Sequence, residues 1–323
     1  VKDILPDIDF IIPWVNGQEK RHLAKRLHYQ SEISDLAEYD VEQSVSDKRF
    51  FQFDELKYTL RSIKKYAPWY RNIFLITDNQ SPPFLMTSQL HLDRITIIDH
   101  CELFKHHEHL LPTFNTRSIA TNIHKLPQLS EYFVYGNDDF MFSAPVEPSF
   151  FFKNDLPVVM GEWCTIPENE NATLYQQGMI NAARLEGYAK SKFITLSHGF
   201  QAMKKSLNAE AEDTFKDDFF QNLTHRFRHR NQFLVESLMN HFCHKRYNVP
   251  LSSVEPMVHF SFELCRFADK EKIYFLFSLL ESGARSMFCL NEYQSLEERM
   301  PEIRLLLEAL CGEKLKSEMD NSL

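Results

Sequence analysis

Asn72-Ile73-Phe74-Leu75-Ile76-Thr77 is an unbroken apolar run closed by Asp78-Asn79. Such a run, bounded by turn residues, reads as a strand buried on both faces. The same reading extends outward. Upstream, Asp9–Val15 (DFIIPWV) is a short apolar run ending in Asn16-Gly17, a first strand and its turn. Downstream, Arg94–Asp99 (RITIID) and Tyr132–Tyr135 (YFVY) repeat the pattern. Helical patterns lie between these runs. Asp54–Tyr66 carries Leu56, Leu60 and Ile63 at helical spacing, with Asp54 as its start and Pro68 past its end. Glu19 to Tyr39 and Thr116 to Leu126 also read as helical. Alternation of strand and helix is the signature of right-handed βαβ units and a mostly parallel sheet. Ligands of such sheets bind at the C-terminal ends of the strands. Asn16, Asp78, Asp99 and Asp138-Asp139 all stand at such ends.

After Phe152 the texture changes. Pro157 to Gly161 suggests one more strand. Asn169 to Tyr188 and Asn208 to Tyr247 read as polar helices. Ser286–Leu290 is a short apolar run, Met300 to Leu310 an amphipathic helix, and the tail after Gly312 is expected to fray. The expected division is an α/β core over 1–164, a mainly helical lobe over 165–285, and over 286–323 a strand returning to the core plus a C-terminal helix.

Composition narrows the function. The 323 residues include 28 Phe but only 8 Gly, and no GxGxxG or GxxxxGK[ST] loop is present. The formal charge of −9 speaks against a general nucleic-acid binder. Six scattered cysteines without a CxxC suit a reduced compartment. No run approaches the roughly 18 apolar residues of a membrane span, and Val1 to Asp9 has no leader pattern. The expectation is a cytosolic protein.

Several residues carry chemistry. Asn137-Asp138-Asp139 directly follows a buried strand, and paired carboxylates there suit a hard divalent cation; a plain Asx turn is the other reading. Asp54-Glu55 with Arg61 reads as an acidic helix start. Leu111-Pro112-Thr113-Phe114-Asn115-Thr116 is a polar loop entering a helix, whose free N–H groups suit a phosphate or a simple cap. Arg226, Arg228 and Arg230, with Lys204 and Lys205, are the densest basic segments and suit an anionic ligand or a solvated helix face. His106, His107, His109, His241 and His244, and His225 with His229 at i,i+4 of an expected helix, are read as surface or core residues. His198, at an expected strand end, is the better candidate for a base.

These segments together resemble the Stealth family of sugar-phosphate transferases, in four blocks in family order. The first is Asp9-Phe-Ile-Ile-Pro-Trp14-Val-Asn16-Gly17. The second holds Arg49-Phe50, Asp54 to Ile63, Lys65 to Trp69, Ile76 to Gln80, Leu111 to Thr116 and Asn137-Asp138-Asp139. The third is His198 with Arg226-Phe227-Arg228, and the fourth Phe288-Cys289-Leu290-Asn291-Glu292. The chain departs from the family pattern at Asn16 and Glu292, where Asp is usual, and at Phe53, where Asn is usual. It departs again at Arg117 and Ala120, in place of Asn and Glu, and at Phe200, in place of Pro.

The resemblance implies a Rossmann-like, mostly parallel sheet of the nucleotide-sugar transferase type with a more helical second lobe. It implies transfer of a sugar-1-phosphate from a UDP-sugar to the hydroxyl of a lipid-linked or free glycan, with release of UMP. Asp138, Asp139 and Asn291 would hold Mg²⁺ or Mn²⁺. Arg61, Asn115 and Arg228 would contact the diphosphate, with Asn16, Gly17, Glu55 and Arg226 also in the substrate site. His198 is the first candidate for the base and Asp54 the second. The place implied is the cytoplasm, with peripheral contact at the inner face of a bacterial inner membrane. Two other readings stay open: an ordinary glycosyltransferase releasing UDP, and a non-catalytic glycan-binding relative. Phe53 and Phe200 are expected where this chain differs in what it binds.

Overall fold

A computed structural model describes residues 7–33, 44, 46, 50, 54–167, 170–189, 191–253 and 257–319. Arg49, Phe53 and the 34–39 end of the first helical pattern lie outside these residues. The architecture is mixed α/β. Strands β1 (Ile8–Pro13), β2 (Ile73–Thr77), β3 (Ile95–Asp99) and β4 (Tyr132–Tyr135) pair in parallel in the order β4-β1-β2-β3. A second, small sheet holds β5 (Phe140–Phe142). β6 (Gln201–Lys204) adds an antiparallel edge to the main sheet beside β4. In the small sheet, β7 (Met257–Phe260) runs parallel to β8 (Met287–Leu290), and β8 runs antiparallel to β5.

Every residue of β1 and β2 is buried, because helices cover both faces of the sheet. Side chains alternate between two cores. Ile11, Phe74, Ile76, Phe133 and Tyr135 enter one. Ile8, Phe10, Ile12, Leu75 and Val134 enter the other. Each such aliphatic or Phe side chain contributes about 1.5–3 kcal/mol on burial.

Helix α1 spans Lys20–Ser31, α2 Glu55–Tyr66 and α3 Thr116–Asn122. The expected helix over 169–188 is α4, Leu174–Leu185, opened by a capping box between Thr173 and Gln176. The expected long helix over 208–247 is three: α5 (Lys205–Thr214), α6 (Lys216–Thr224) and α7 (Val235–Arg246). The 225–234 loop between the last two is a correction. His225 and His229 stack there at 4.5 Å with ring planes 6° apart, so they do not share a helical face. The loop is held by buried amides: Gln232 Nε2 donates to Asn222 O at 2.8 Å, and Asn222 Nδ2 donates to Phe233 O at 3.3 Å. Helices α8 (Phe262–Phe267), α9 (Lys270–Glu281), α10 (Tyr293–Arg299) and α11 (Ile303–Cys311) enclose a third core with β7 and β8. The amphipathic face of α11 is turned inward, since Ile303, Leu307 and Leu310 are buried there. Among the described residues, no helix is long and apolar enough to cross a membrane.

The tail does not fray through Met319. Met319 N donates to Phe84 O at 2.8 Å, and Met86 N to Ser317 O at 2.7 Å. Asp93 accepts from Ser317 N and Oγ, each at 2.7 Å. Glu318 is buried and pairs with Arg61 in a two-pronged contact, with Nε to Oε2 at 2.9 Å. Breaking a buried pair leaves an uncompensated charge. Glu318→Ala is therefore expected to destabilise the fold by about 3–5 kcal/mol, read as a lower urea midpoint. An unchanged midpoint counts against this role.

Candidate active site

Gly136 to Asp139 leaves the end of β4 as a loop pinned from three sides. Gly136 N donates to Ile11 O at 3.0 Å, Thr59 Oγ1 of α2 to Asp138 O at 2.6 Å, and Leu290 N of β8 to Asp139 O at 3.1 Å. Gly136 is required by packing: a Cβ there would stand 2.4 Å from the Phe200 ring. Phe200 is fully buried and stacks on Phe142 at 4.5 Å. It supports the loop from the core and does not line the site, which corrects its expected role in what is bound.

The loop faces a cavity of about 720 Å³. Asp138, Asp139, Asn291, Glu55, His198, Asn115 and Arg228 all line it, and segments far apart in sequence contribute them. The Asp139 carboxylate accepts from Asn291 Nδ2 at 2.6 Å, while its Oδ1 is buried with no partner. Burial raises the Asp139 pKa, against the hydrogen bond from Asn291. His259 Nε2 contacts Asn291 Oδ1; a carbonyl oxygen only accepts, so the ring donates. His259 stacks on His198 at 4.1 Å, and His198 on Tyr175 at 4.8 Å. Burial, then the neighbouring His259, pushes the His198 pKa down to about 4, so its ring is neutral near pH 7.

Arg228 lines the same cavity half-buried, with Nη2 donating to Thr116 Oγ1 at 2.9 Å. Arg117 also lines the cavity, but it clamps the scaffold. Its Nη1 donates to His229 O at 3.2 Å and its Nη2 to Leu174 O at 2.8 Å. Burial lowers its pKa to about 9. Ala120 and Glu292, two further departures from the family pattern, also line the cavity.

Behind His22 and His100, which line the cavity, Asp78 follows β2 and accepts from His22 Nδ1 at 2.9 Å and from Lys25 Nζ. Burial alone would raise its pKa, but these bonds outweigh it and hold the carboxyl below the usual carboxylate range. Burial also pushes His100, beside it, down to about 4. Asp99 caps the short helix after β3, accepting from Cys101 N at 2.8 Å.

Other expected site residues lie elsewhere or have their polar groups engaged. Arg61 is held in the buried pair with Glu318 and is not part of the cavity wall. Asn115 is fully buried; its Oδ1 caps α3 through Arg117 N, and its Nδ2 donates to His225 O, Phe227 O and Gln232 Oε1 at 2.9, 3.0 and 2.9 Å. No amide hydrogen of Asn115 remains for a phosphate, which corrects that expectation. Asp54 is 52% exposed and pairs with Lys57 at 3.3 Å, outside the cavity wall. Asn16 is bracketed by Gln80, which bonds its N and its O at 2.9 Å each. Gly17 N donates to Phe50 O at 2.9 Å, and a Cβ at Gly17 would meet that oxygen at 2.4 Å. Arg226 lies over the Tyr29 ring at 4.5 Å and reaches Leu111 O at 3.4 Å. These three are parts of the turn and loop framework around the site.

Tyr135, Tyr175, Glu236 and His259 are site residues that the sequence did not single out. Tyr135 ends a strand and looks like core. Glu236 sits in an ordinary helix start, and no local pattern marks it.

A hard cation is compatible with this set. Asp139 Oδ1 is an orphaned buried oxygen, and Asp138 lines the same cavity; the Asn291 oxygen already accepts from His259 and would have to be shared with the ion. Among the described residues no group of three or more His, Cys, Asp or Glu side chains is gathered as a cage. A pair of carboxylates is what Mg²⁺ takes from a protein when phosphate and water complete its shell.

Comparison with known proteins bears on this site. Residues 49–159 match the family described as Stealth protein CR2, conserved region 2, which includes the Asn137-Asp138-Asp139 loop. A capsular polysaccharide phosphotransferase of Haemophilus influenzae is 29% identical over 300 residues, covering 89% of this chain and 79% of that protein. A receptor polysaccharide phosphotransferase of Streptococcus gordonii is 32% identical over 207 residues, 62% of this chain and 60% of that protein. An exopolysaccharide phosphotransferase of Mycobacterium tuberculosis is 32% identical over 250 residues, 74% of this chain but 44% of that protein. The chain thus spans less than two thirds of the latter two relatives. In residues 49–159 the chain thus carries conserved region 2 of the Stealth family, and the relatives it resembles are polysaccharide phosphotransferases.

Proposed function

We propose that this protein is a polysaccharide phosphotransferase. It moves a hexose- or hexosamine-1-phosphate from a UDP-sugar to the hydroxyl of a lipid-linked or free glycan. The observation that carries the reading is the meeting of Asp138, Asp139, Asn291, Arg228 and His198 in one cavity, beside the ends of parallel strands. The names of the relatives support it.

The acceptor oxygen attacks the β-phosphorus of the donor. The bond from that phosphorus to the bridging oxygen breaks, UMP leaves, and the sugar phosphate becomes a diester. His198 takes the hydroxyl proton on a ring nitrogen, which burial keeps unprotonated. Arg228 offers guanidinium hydrogens to the phosphate oxygens. Asp138, Asp139 and Asn291 would hold Mg²⁺ or Mn²⁺, which when bound supplies neutralisation of the diphosphate charge. The Asp139 loop is pinned through its backbone, so its carboxylate is pre-positioned.

Incubation with a UDP-sugar and acceptor tests the reading: UMP should accumulate, with a phosphodiester signal from phosphorus in the product. UDP would instead mean attack at the sugar carbon. Absence of nucleotide-sugar binding, with or without divalent metal, would mean a non-catalytic relative. The base assignment has its own test. With His198 neutral above about pH 4, kcat/KM is expected to be level between about pH 6 and 8 and to fall only as the pH nears 4. A knee near the ordinary imidazole pKa of about 6.5 would count against His198 as the base.

A further inference from the structure

We propose that Glu236, Tyr135 and Tyr175 form the subsite that seats a pyranose ring and reads its hydroxyls, a proposal that rests on the transferase reading above. All three line the cavity. Tyr135 is the last residue of β4, Tyr175 lies in the first turn of α4, and Glu236 in the first turn of α7. The Glu236 carboxylate accepts its own backbone N–H, and no other hydrogen bond to it is found among the described residues. Neither tyrosine hydroxyl has a hydrogen-bond partner there either. Tyr135 is buried and Tyr175 and Glu236 are half-buried, so their open polar groups belong to the lining of the cavity, where the hydroxyls of a ligand would partner them. Burial raises both phenol pKa values, which keeps them as donors.

The chemistry selects the ligand class. Burial raises the Glu236 pKa, against the pull of Arg117 and Arg228 toward the ionised form; as a carboxylate it accepts and repels phosphate, so the diphosphate is directed to Arg228. What suits Glu236 is a set of neutral hydroxyl donors, and the phenols can both donate and accept. That is the edge of a neutral hexose or hexosamine, and a sugar acid would be disfavoured. Tyr175 stacks on His198 at 4.8 Å, so a ring held here lies beside the candidate base. Donor sugar and acceptor sugar share this chemistry.

The test is calorimetric titration of the full chain with UDP, UDP-glucose and UDP-N-acetylglucosamine in Mg²⁺, with acceptor kinetics alongside. The acceptor is an oligosaccharide hydrolysate of the polysaccharide made by the strain that carries the gene. Glu236→Gln removes the charge at constant size, and Tyr175→Phe removes only a hydroxyl, so at least one should fold. Wild type should bind the UDP-sugars more tightly than UDP. If the wall holds the donor ring, the variants lose about 10- to 100-fold of that increment while UDP binding is unchanged. If it holds the acceptor ring, donor binding is kept and the acceptor KM rises by a similar factor. Either result supports the subsite. An active wild type with both quantities unchanged in both variants overturns the subsite alone. A wild type that binds no nucleotide sugar overturns the transferase reading, and the subsite with it.

Discussion

Asp139→Ala is expected to lower turnover by about 10²–10³-fold or more while leaving the fold in place. The loop does not depend on this side chain. Its backbone is held by Thr59 Oγ1 at Asp138 O and by Leu290 N at Asp139 O, at 2.6 and 3.1 Å. What the substitution removes is a carboxylate with one oxygen bonded to Asn291 and the other buried without a partner. Asp139→Asn separates charge from packing. An amide keeps an acceptor for Asn291 Nδ2 but loses the negative charge, so in the proposed mechanism it should be nearly as inactive as alanine. Initial rates of UMP release, with circular dichroism and thermal melting as the fold control, make the comparison. Near wild-type turnover in the asparagine variant would show that the charge is not needed, and wild-type rates in the alanine variant would sink the assignment.

Arg228→Ala is expected to cost a similar 10²–10³-fold, roughly, in kcat/KM, and its contrast with Arg117→Ala makes the claim sharp. Both arginines line the cavity. Arg228 is half-buried and donates to one hydroxyl, that of Thr116, so most of its donors face the void. Arg117 is 4% exposed and bonds two backbone carbonyls, tying α3 to α4 and to the 225–234 loop. Hydrogen bonds from a charged group are worth about 1.5–3 kcal/mol each. Removing Arg117 should therefore lower the melting temperature, whereas removing Arg228 should lower the rate and leave melting nearly unchanged. Arg228→Lys should recover only part of the loss, since a point charge does not reproduce a planar fork. The reverse pattern would exchange the roles of the two residues.

The parallel strands were legible because each is a short apolar run buried on both faces. Burial of that kind leaves no polar alternation to confuse with a helix, and Asn137-Asp138-Asp139 ends one of these runs. The 225–234 loop was not legible. His225, Arg226, Arg228 and His229 keep a helix-compatible spacing, and only Asn222, Gln232 and Asn115 bonding across the interior break the helix there. The end of the chain is similar: Glu318 reads as a solvated tail until it meets Arg61 from 257 positions away.

What the amino-acid order determined by itself is local: which runs are strands, which ends carry carboxylates, and that no glycine-rich loop is available for a phosphate. What only the tertiary structure decided is which cationic and polar groups face the cavity. Arg61 and Arg228 look equally suited in sequence, yet one is neutralised by a buried glutamate and the other is left with open donors. Glu236, Tyr135 and Tyr175 carry no motif, and they become a wall only when β4, α4 and α7 converge. A side chain's chemistry is set by its residue type, but its availability depends on what the fold places against it.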